Sequence, residues 1–434
     1  MRALGVHGLV DRLDDRFRLL STGHRGAPPR QQTLAAMIGW SWDLLTEPER
    51  VVLRRLAVHA DGCTLEAAEA VCAEDGLDVL DLLARLVDRS LVMMADGPDG
   101  PRYRLLESVA AYCVERLREA GEFDRIRRRH HRFHIAFAER AVPHLHGPGQ
   151  RRWLRRLDAE AANLRTALNA AVRDGDADDA LRLVNAMAWY WFLRGRLAEA
   201  RRSLTAALAV TVKDGKDGKD GNAASAHRAE ALAWNAGIGF LQGDVADRED
   251  RRRAALRMYG EAGEPGGLAR AQWFLAYAGI DLGDLAVAGE LLNLALPVFR
   301  SRGDLWGTAA TLATRAKLAH IRGDLDSLRR DGERSRELFD ELGDRWGQPE
   351  ATGWLGAGHH ERAARILGAA AAARASGSLS PAPAERVDID RITGRVRLAL
   401  GEERFAAEAG HGATLTPDEV RSLMVAPDAR TTGA

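Results

Sequence analysis

The order of apolar and polar positions divides the chain into stretches with different periods. Leu9, Val10, Leu13, Phe17, Leu19 and Leu20 lie between charged neighbours, which predicts a short amphipathic helix over the first 20 or so residues. A loop follows over 23–29, and helical periodicity resumes at Thr33 and runs through Trp40, Trp42 and Leu45. Thr46, Pro48 and Glu49 form a capping-box pattern that starts a helix carrying Val51, Val52, Leu53, Leu56 and Val58. Asp61-Gly62 turns the chain, Thr64 caps a third helix through Val71, and a fourth runs from about Asp78 to Asp88. The period then becomes that of strands. Leu91 to Met94 is one, Asp96 to Pro101 is a strong turn, and Tyr103 to Leu106 is the return. Ser108 is expected to cap a helix that ends near Glu119, with Gly121 as its stop. Helices, a hairpin and a closing helix over residues 31–123 are the order of a winged helix-turn-helix domain.

From Arg125 the pattern is helical throughout, and it repeats. Gly-Asp pairs stand at 243–244, 283–284 and 323–324, and Gly263-Glu264, Gly303-Asp304 and Gly343-Asp344 interleave with them, so the mark recurs every 20 residues. Glycine ends one helix in the left-handed conformation and the acid caps the next. Ala236, Ala276 and Ala316 keep the same register, as do Gly239, Gly279 and Ala319, small residues for close helix approach. Met258, Val298 and Leu338 align beside Tyr259, Phe299 and Phe339 as larger plugs. This predicts a helix-hairpin solenoid of tetratricopeptide type. The expected organisation is a helical remnant over 1–30, a winged helix over 31–123, and a helical linker with the first hairpins over 124–212. A flexible Lys-Asp-Gly loop over 213–222, repeats over 223–375, a linker over 376–384, a helical unit over 385–426 and a disordered tail over 427–434 follow. The fold class is mainly α.

Composition narrows the function classes. Lys+Arg and Asp+Glu are 62 each, so no chain-wide basic field exists for nucleic acid or anionic membrane. Cys63, Cys72 and Cys113 show no metal-finger spacing, and an odd count fits a reducing, cytoplasmic setting. No apolar run is long enough to span a membrane. Only four of the basic residues are lysines, a bias that GC-rich coding produces. Lys213, Lys216, Lys219 and Lys317 are followed by Asp214, Asp217, Asp220 and Leu318, so the Gly-Lys-Ser/Thr of a P-loop is absent. No nucleophile–base pair or dinucleotide fingerprint stands out either. The expectation is a non-enzyme without cofactor.

Candidate chemistry is sparse. His130 and His134 share a helix face, but Arg129-His130-His131-Arg132-Phe133-His134 lacks the glutamate of HExxH, and its arginines repel a cation. The face reads as polar, and no metal site is assigned. Arg125, Arg127, Arg128, Arg129 and Arg132, extended by Arg151, Arg152, Arg155 and Arg156, form a basic cluster suited either to phosphate or to solvent. In the fourth helix, Arg85 and Arg89 stand against Asp78, Asp81 and Asp88, and the wing carries Asp96 and Asp99. Candidate nucleic-acid contacts are therefore Arg85, Arg89, Arg127, Arg128 and Arg129, while the wide apolar face from Val79 to Val87 suits packing against another module better than a groove. Trp189, Tyr190, Trp191 and Phe192 fit a core or the lining of a pocket.

Several strings resemble a known family. Arg12-Leu13-Asp14-Asp15-Arg16-Phe17-Arg18-Leu19-Leu20 resembles the end of a nucleotide-binding module. Trp40-Ser41-Trp42-Asp43-Leu44-Leu45 and Tyr103-Arg104-Leu105-Leu106-Glu107-Ser108 resemble the start and end of a winged helix. Trp153-Leu154-Arg155-Arg156-Leu157-Asp158-Ala159-Glu160 with Asn163, Ala364-Arg365-Ile366-Leu367-Gly368 and Leu415-Thr416-Pro417-Asp418-Glu419-Val420 are also similar to that family. It is the signal-transducing ATPases with numerous domains, in the AfsR-like and LuxR-type actinobacterial regulators with an NB-ARC module. The resemblance implies that an ATPase and an effector precede the parts seen here, with Met1 falling inside the end of the ATPase. It implies a winged helix that holds the ATPase closed around ADP and a solenoid that senses a ligand or partner. Leu105-Leu106-Glu107 stand where relatives carry a Met-His-Asp nucleotide contact, so none is carried over.

The expected role is the sensor and interaction half of a transcriptional regulator. A protein or small-molecule ligand would sit in the repeat groove, and an absent ATPase module would dock on the winged helix. The alternatives are a DNA-binding factor using its own winged helix and a regulatory subunit of a separately encoded P-loop ATPase.

Overall fold

The computed structural model describes residues 37–74, 76–210, 221–356, 360–377, 389–390, 392–394, 396–397 and 400–425. The chain divides into two compact units. One runs to Phe137 and includes Arg155–Ala170; the other takes Ala138–Leu154 and everything from Ala171 onward. The helix expected over 1–20, most of the Lys-Asp-Gly loop, most of the 376–384 linker and the tail lie outside the described residues.

In the first unit a helical segment at 37–43 precedes α1 (Glu47–Leu56), β1 (Cys63–Thr64), α2 (Leu65–Cys72), α3 (Val79–Asp88), β2 (Met93–Gly97), β3 (Gly100–Arg104), α4 (Glu107–Glu119) and α5 (Phe123–Ala141). The expected caps form. The Thr46 amide and hydroxyl donate to the Glu49 carboxylate at 2.8 and 2.9 Å, and the Ala67 amide donates to Thr64 Oγ1 at 3.2 Å. Ser108 does not cap α4, which begins two residues earlier than such a cap would set, with Leu106 at the cap. Glu107 then puts an acid in the first turn, where the helix dipole favours it.

The hairpin is tighter than composition suggests. Gly97 pairs with Gly100, so the strands run into the stretch expected as a turn, and Gly100 takes φ +126°, which only glycine adopts freely. The two-residue β1 pairs antiparallel with β3, Cys63 opposite Tyr103, to give the sheet order β1-β3-β2. Val52, Leu53, Val71, Leu83, Leu86, Val109, Cys113 and Leu117 share the core beneath it.

Among the described residues the helices that follow include α6 (Gln150–Ala159), α7 (Ala161–Asp174), α8 (Ala177–Leu193), α9 (Leu197–Ala209), α10 (Gly221–Leu241), α11 (Arg248–Ala262), α12 (Pro265–Ile280) and α13 (Leu285–Ser301). They continue with α14 (Leu305–Arg322), α15 (Leu325–Leu342), α16 (Gly347–Gly356), α17 (His360–Gly377), α18 (Glu402–Ala413) and α19 (Pro417–Val425). Gly243, Gly263, Gly283, Gly303, Gly323 and Gly343 all take positive φ, as the 20-residue punctuation requires, and Gly175 and Gly195 extend the series upstream. The acid that follows plays two parts. Asp304, Asp324 and Asp344 accept amides at 2.7, 3.0 and 2.8 Å as caps. Asp244 and Asp284 make no cap bond and take arginines instead, Arg201 at 2.6 Å and Arg252 at 2.8 Å, and Asp244 also accepts the Ala246 amide at 3.3 Å in the turn before α11. Ala236, Ala276 and Ala316 are buried, whereas Met258 and Val298 are only half-buried. Tyr259, Phe299 and Phe339 are the plugs that fill the core.

Candidate functional site

Most of the candidate nucleic-acid residues are engaged by partners within the fold. Arg85 pairs with Asp81 at 2.7 Å, and Arg89 reaches the buried Glu49 at 3.5 Å. Arg127 pairs with Asp124 at 3.5 Å, Arg129 donates to the Ala73 carbonyl at 2.7 Å, and Arg128 is exposed. The apolar face of α3 is also not a free docking surface. Val79, Leu82, Leu83 and Leu86 enter the domain's own core, which leaves Leu80 exposed among charged neighbours. The wing is held down. Asp99 at its tip meets Arg156 at 2.9 Å, and Arg102 on β3 bonds Glu160 and reaches the Asp61 and Gly62 carbonyls at 3.3 and 3.2 Å. At the start of α5, Glu122 binds Arg54 at 2.9 Å and also Arg55. Burial alone would raise the Glu122 carboxyl, but hydrogen bonds from Arg55 and Arg54 outweigh it and hold it at about 2.

Behind the wing lies a cluster that the sequence reading set aside. His130 and His134 are not on a solvated face; both are almost fully buried. His59, on the segment after α1, joins them. Ring centroids are 4.1 Å apart for His130–His134, 4.9 Å for His59–His130 and 5.8 Å for His59–His134. One ring nitrogen from each lies within 4.8 Å of the others. Asn163 organises the surroundings. Its Oδ1 accepts from the Ala60 amide at 2.7 Å and lies 3.2 Å from His130 Nε2, while its Nδ2 donates to the Gly62 carbonyl at 2.9 Å and to Glu160 at 2.7 Å. His134 Nδ1 is 2.8 Å from the His130 carbonyl, and its Nε2 is 3.4 Å from Glu160. Burial chiefly, with His134 and Arg102 beside it, holds His59 at about 3; burial, then His134 and His59, push His130 well down. Glu160 would be raised by burial, yet His134 and Arg102 beside it hold it at about 2. A cavity of about 430 Å³, lined by His59, Gly62, Met93, Tyr103 and Glu107, opens beside His59.

In the second unit the first helices of successive hairpins turn their aromatic residues onto one another. Trp189 lies 6.2 Å from Trp234, 6.0 Å from Trp273, 5.3 Å from Trp306 and 5.1 Å from Trp346, so rings from the first and last repeats meet. His146 packs against both Trp189 and Trp306, at 5.4 and 4.2 Å. A cavity of about 30 Å³ remains, lined by His146, Asn185, Trp189, Glu230, Arg270 and Trp306. His146 Nδ1, Asn185 Oδ1 and Trp189 Nε1 are buried without a hydrogen-bond partner. Burial, then the Arg270 charge, holds His146 at about 3, and burial raises Glu230. Trp189 and Phe192 thus belong to an aromatic interior, and Trp189 also lines a pocket.

Sequence reasoning missed His59, Glu160, Asn163, His146 and Asn185 as site residues. The i, i+4 pair His130/His134 was the one signal for the first cluster, but the third histidine lies far upstream and is contributed by the fold. The second pocket left no signal beyond the aromatic run at 189–192.

Residues 45–118 match the profile of a winged helix-turn-helix domain family. The chain is 35% identical over 363 residues to a Mycobacterium tuberculosis protein described as a candidate HTH-type transcriptional regulator, and the match covers 82% of this chain. It spans only 40% of that relative. A second Mycobacterium tuberculosis protein, uncharacterized, is 43% identical over 118 residues, 26% of this chain and 30% of its own length. Among solved structures, a signal transduction ATPase with numerous domains and a tetratricopeptide repeat sensor, from Pyrococcus horikoshii, superposes with a TM-score of 0.50 at 12% identity. It covers 90% of this chain and 57% of its own. The fold is therefore a winged helix-turn-helix domain followed by a helical repeat region, in a chain similar to part of candidate HTH-type regulators.

Proposed function

We propose that this chain acts as the sensor and interaction half of a transcriptional regulator and does so without hydrolysing ATP. A small ligand binds in the interior of the repeats, and the winged helix passes the change to an effector or ATPase module. The observation that carries the reading is the pocket at His146, Asn185 and Trp189. Unpartnered buried polar atoms are costly, and here three of them face one aromatic-walled cavity flanked by Glu230 and Arg270. The cavity holds about a water or two, so a metabolite displaces the His146 ring on entry. The pinned wing, with Asp99 and Arg102 both engaged, suits relay by packing better than insertion into DNA.

The test is thermal unfolding followed by tryptophan emission, across a panel of amino acids, nucleosides and small dicarboxylates. A hit should raise the midpoint and alter emission, and Asn185→Leu should abolish both effects. The match to winged helix-turn-helix domains and HTH-type relatives favours a second reading, direct DNA binding by this domain. A silent panel together with steeply salt-dependent, sequence-selective DNA binding by the chain alone would replace the sensor reading with that one.

A further inference from the structure

We propose that His59, His130 and His134 bind a transition metal ion of the Zn²⁺ class, a site independent of the sensor reading above. The argument begins with protons. The His130 backbone carbonyl only accepts, so His134 Nδ1, 2.8 Å away, carries a hydrogen and its Nε2 is a lone pair. Asn163 donates through Nδ2 to Gly62 and Glu160, and its Oδ1 accepts from the Ala60 amide. Oδ1 is therefore the acceptor toward His130 as well; Nε2 of His130 carries its hydrogen, and Nδ1 is the lone pair. Neither nitrogen of His59 has a partner. Each histidine thus offers a bare nitrogen, and in two of them the opposite nitrogen is fixed by a carbonyl or carboxamide. That is the outer-shell arrangement by which metal-ligating histidines are oriented.

The pairing of His134 and Glu160 adds a charge argument. A lone pair on Nε2 faces a carboxylate oxygen at 3.4 Å, and two acceptors at that separation require a positive charge between them. A proton on His134 would supply it but would leave His59 and His130 unsatisfied. One divalent ion serves all three imidazoles, with Glu160 as counter-charge. Arg102 opposes the ion but is itself neutralised by Glu160.

Three imidazole nitrogens with a nearby carboxylate suit Zn²⁺ or Co²⁺, not the harder Mg²⁺ or Ca²⁺. Zn–N bonds of about 2.1 Å in tetrahedral geometry place nitrogens roughly 3.4 Å apart, so binding draws the present cluster inward. The cavity beside His59 gives a path in and room for a water as fourth ligand. The ion would tie the segment before β1 to α5, fixing the wing's base.

The test uses the full chain, stripped with a chelator and titrated with Co²⁺ and then Zn²⁺. One equivalent of Co²⁺ should give visible ligand-field bands of tetrahedral intensity, displaced by Zn²⁺, and Zn²⁺ should raise the unfolding temperature. His59→Gln and His134→Gln should each weaken binding by about a hundredfold or more, and Asn163→Ala by ~10–100-fold, while His146→Gln leaves it unchanged. His59→Gln sits beside the cavity and should keep the helical circular dichroism, so a folded variant is in hand. Binding that survives both substitutions would come from surface histidines and would overturn the site. So would a stripped protein that takes up no metal while nitrogen NMR shows His134 doubly protonated.

Discussion

The ring of Phe299 lies so close to the backbone of Gly307 that a β-carbon there would overlap it. The same relationship recurs one repeat earlier, where a β-carbon on Gly267 would sit 2.5 Å from Tyr259 Cε1, and one repeat later between Phe339 and Gly347. Each plug at the end of one hairpin thus fits over a glycine in the first turn of the next.

Gly307→Ala should therefore destabilise the repeat unit by about 1–3 kcal/mol, because Phe299 is buried and cannot move aside. Helix propensity alone predicts the opposite, a gain of up to ~1 kcal/mol. Urea unfolding followed by tryptophan emission separates the two. A double-mutant cycle with Phe299→Leu should show coupling of at least ~0.5 kcal/mol. An alanine that stabilises would show that the ring has room to relax.

Arg102 is the other place where one side chain holds much. It is buried, bonded to Glu160 and shared with two carbonyls. Arg102→Met strands the Glu160 carboxylate in the interior and should cost about 3–5 kcal/mol. Amide exchange over residues 93–104 should accelerate with it. A wing that stays protected in the variant would mean that the hairpin is held by other contacts.

The repeat was legible because its period rests on backbone requirements. Left-handed glycines leave few alternatives, and Gly243 through Gly343 all adopt that conformation. The capping residues Thr46 and Thr64 act locally and were equally readable. The glycine series 267, 307 and 347 was present in the sequence too, but its meaning depends on which ring approaches it. The sites were not legible, because their residues converge through tertiary packing. His59 meets His130 across the fold, and His146 reaches Trp306 from the segment between α5 and α6. Hydrophobic breadth misled at α3, where Val79, Leu82, Leu83 and Leu86 serve their own core.

Direct DNA binding by this chain should be weak. Arg85 and Arg89 are paired with acids, and the wing is engaged by Arg156. Fluorescence anisotropy with random duplex should give a non-specific Kd of roughly 10⁻⁴–10⁻⁶ M with a shallow salt slope. The double variant Arg85→Ala/Arg89→Ala should leave it within about twofold. A steep slope, a preferred sequence and a large loss in the variant would make α3 a recognition helix after all.

His146 should make the repeat unit acid-sensitive. Its folded pKa of about 3 lies below the ordinary histidine value of about 6.5, chiefly because of burial. Above about pH 6.5 the ring is neutral in both folded and unfolded chains, and the full stability is present. Below it the unfolded chain takes a proton that the folded unit refuses, so stability falls by ~1.4 kcal/mol per pH unit until the folded pKa is reached. Between about pH 7.5 and pH 5 the loss from this residue is about 2 kcal/mol. His146→Leu keeps an apolar side chain against Trp189 and Trp306 and removes the proton, so the difference in stability between variant and wild type should shift by that amount in the variant's favour across the window. Chemical unfolding read by tryptophan emission at both pH values measures it. Parallel pH profiles for the two proteins would show that the His146 ring is hydrated and titrates normally in the folded state.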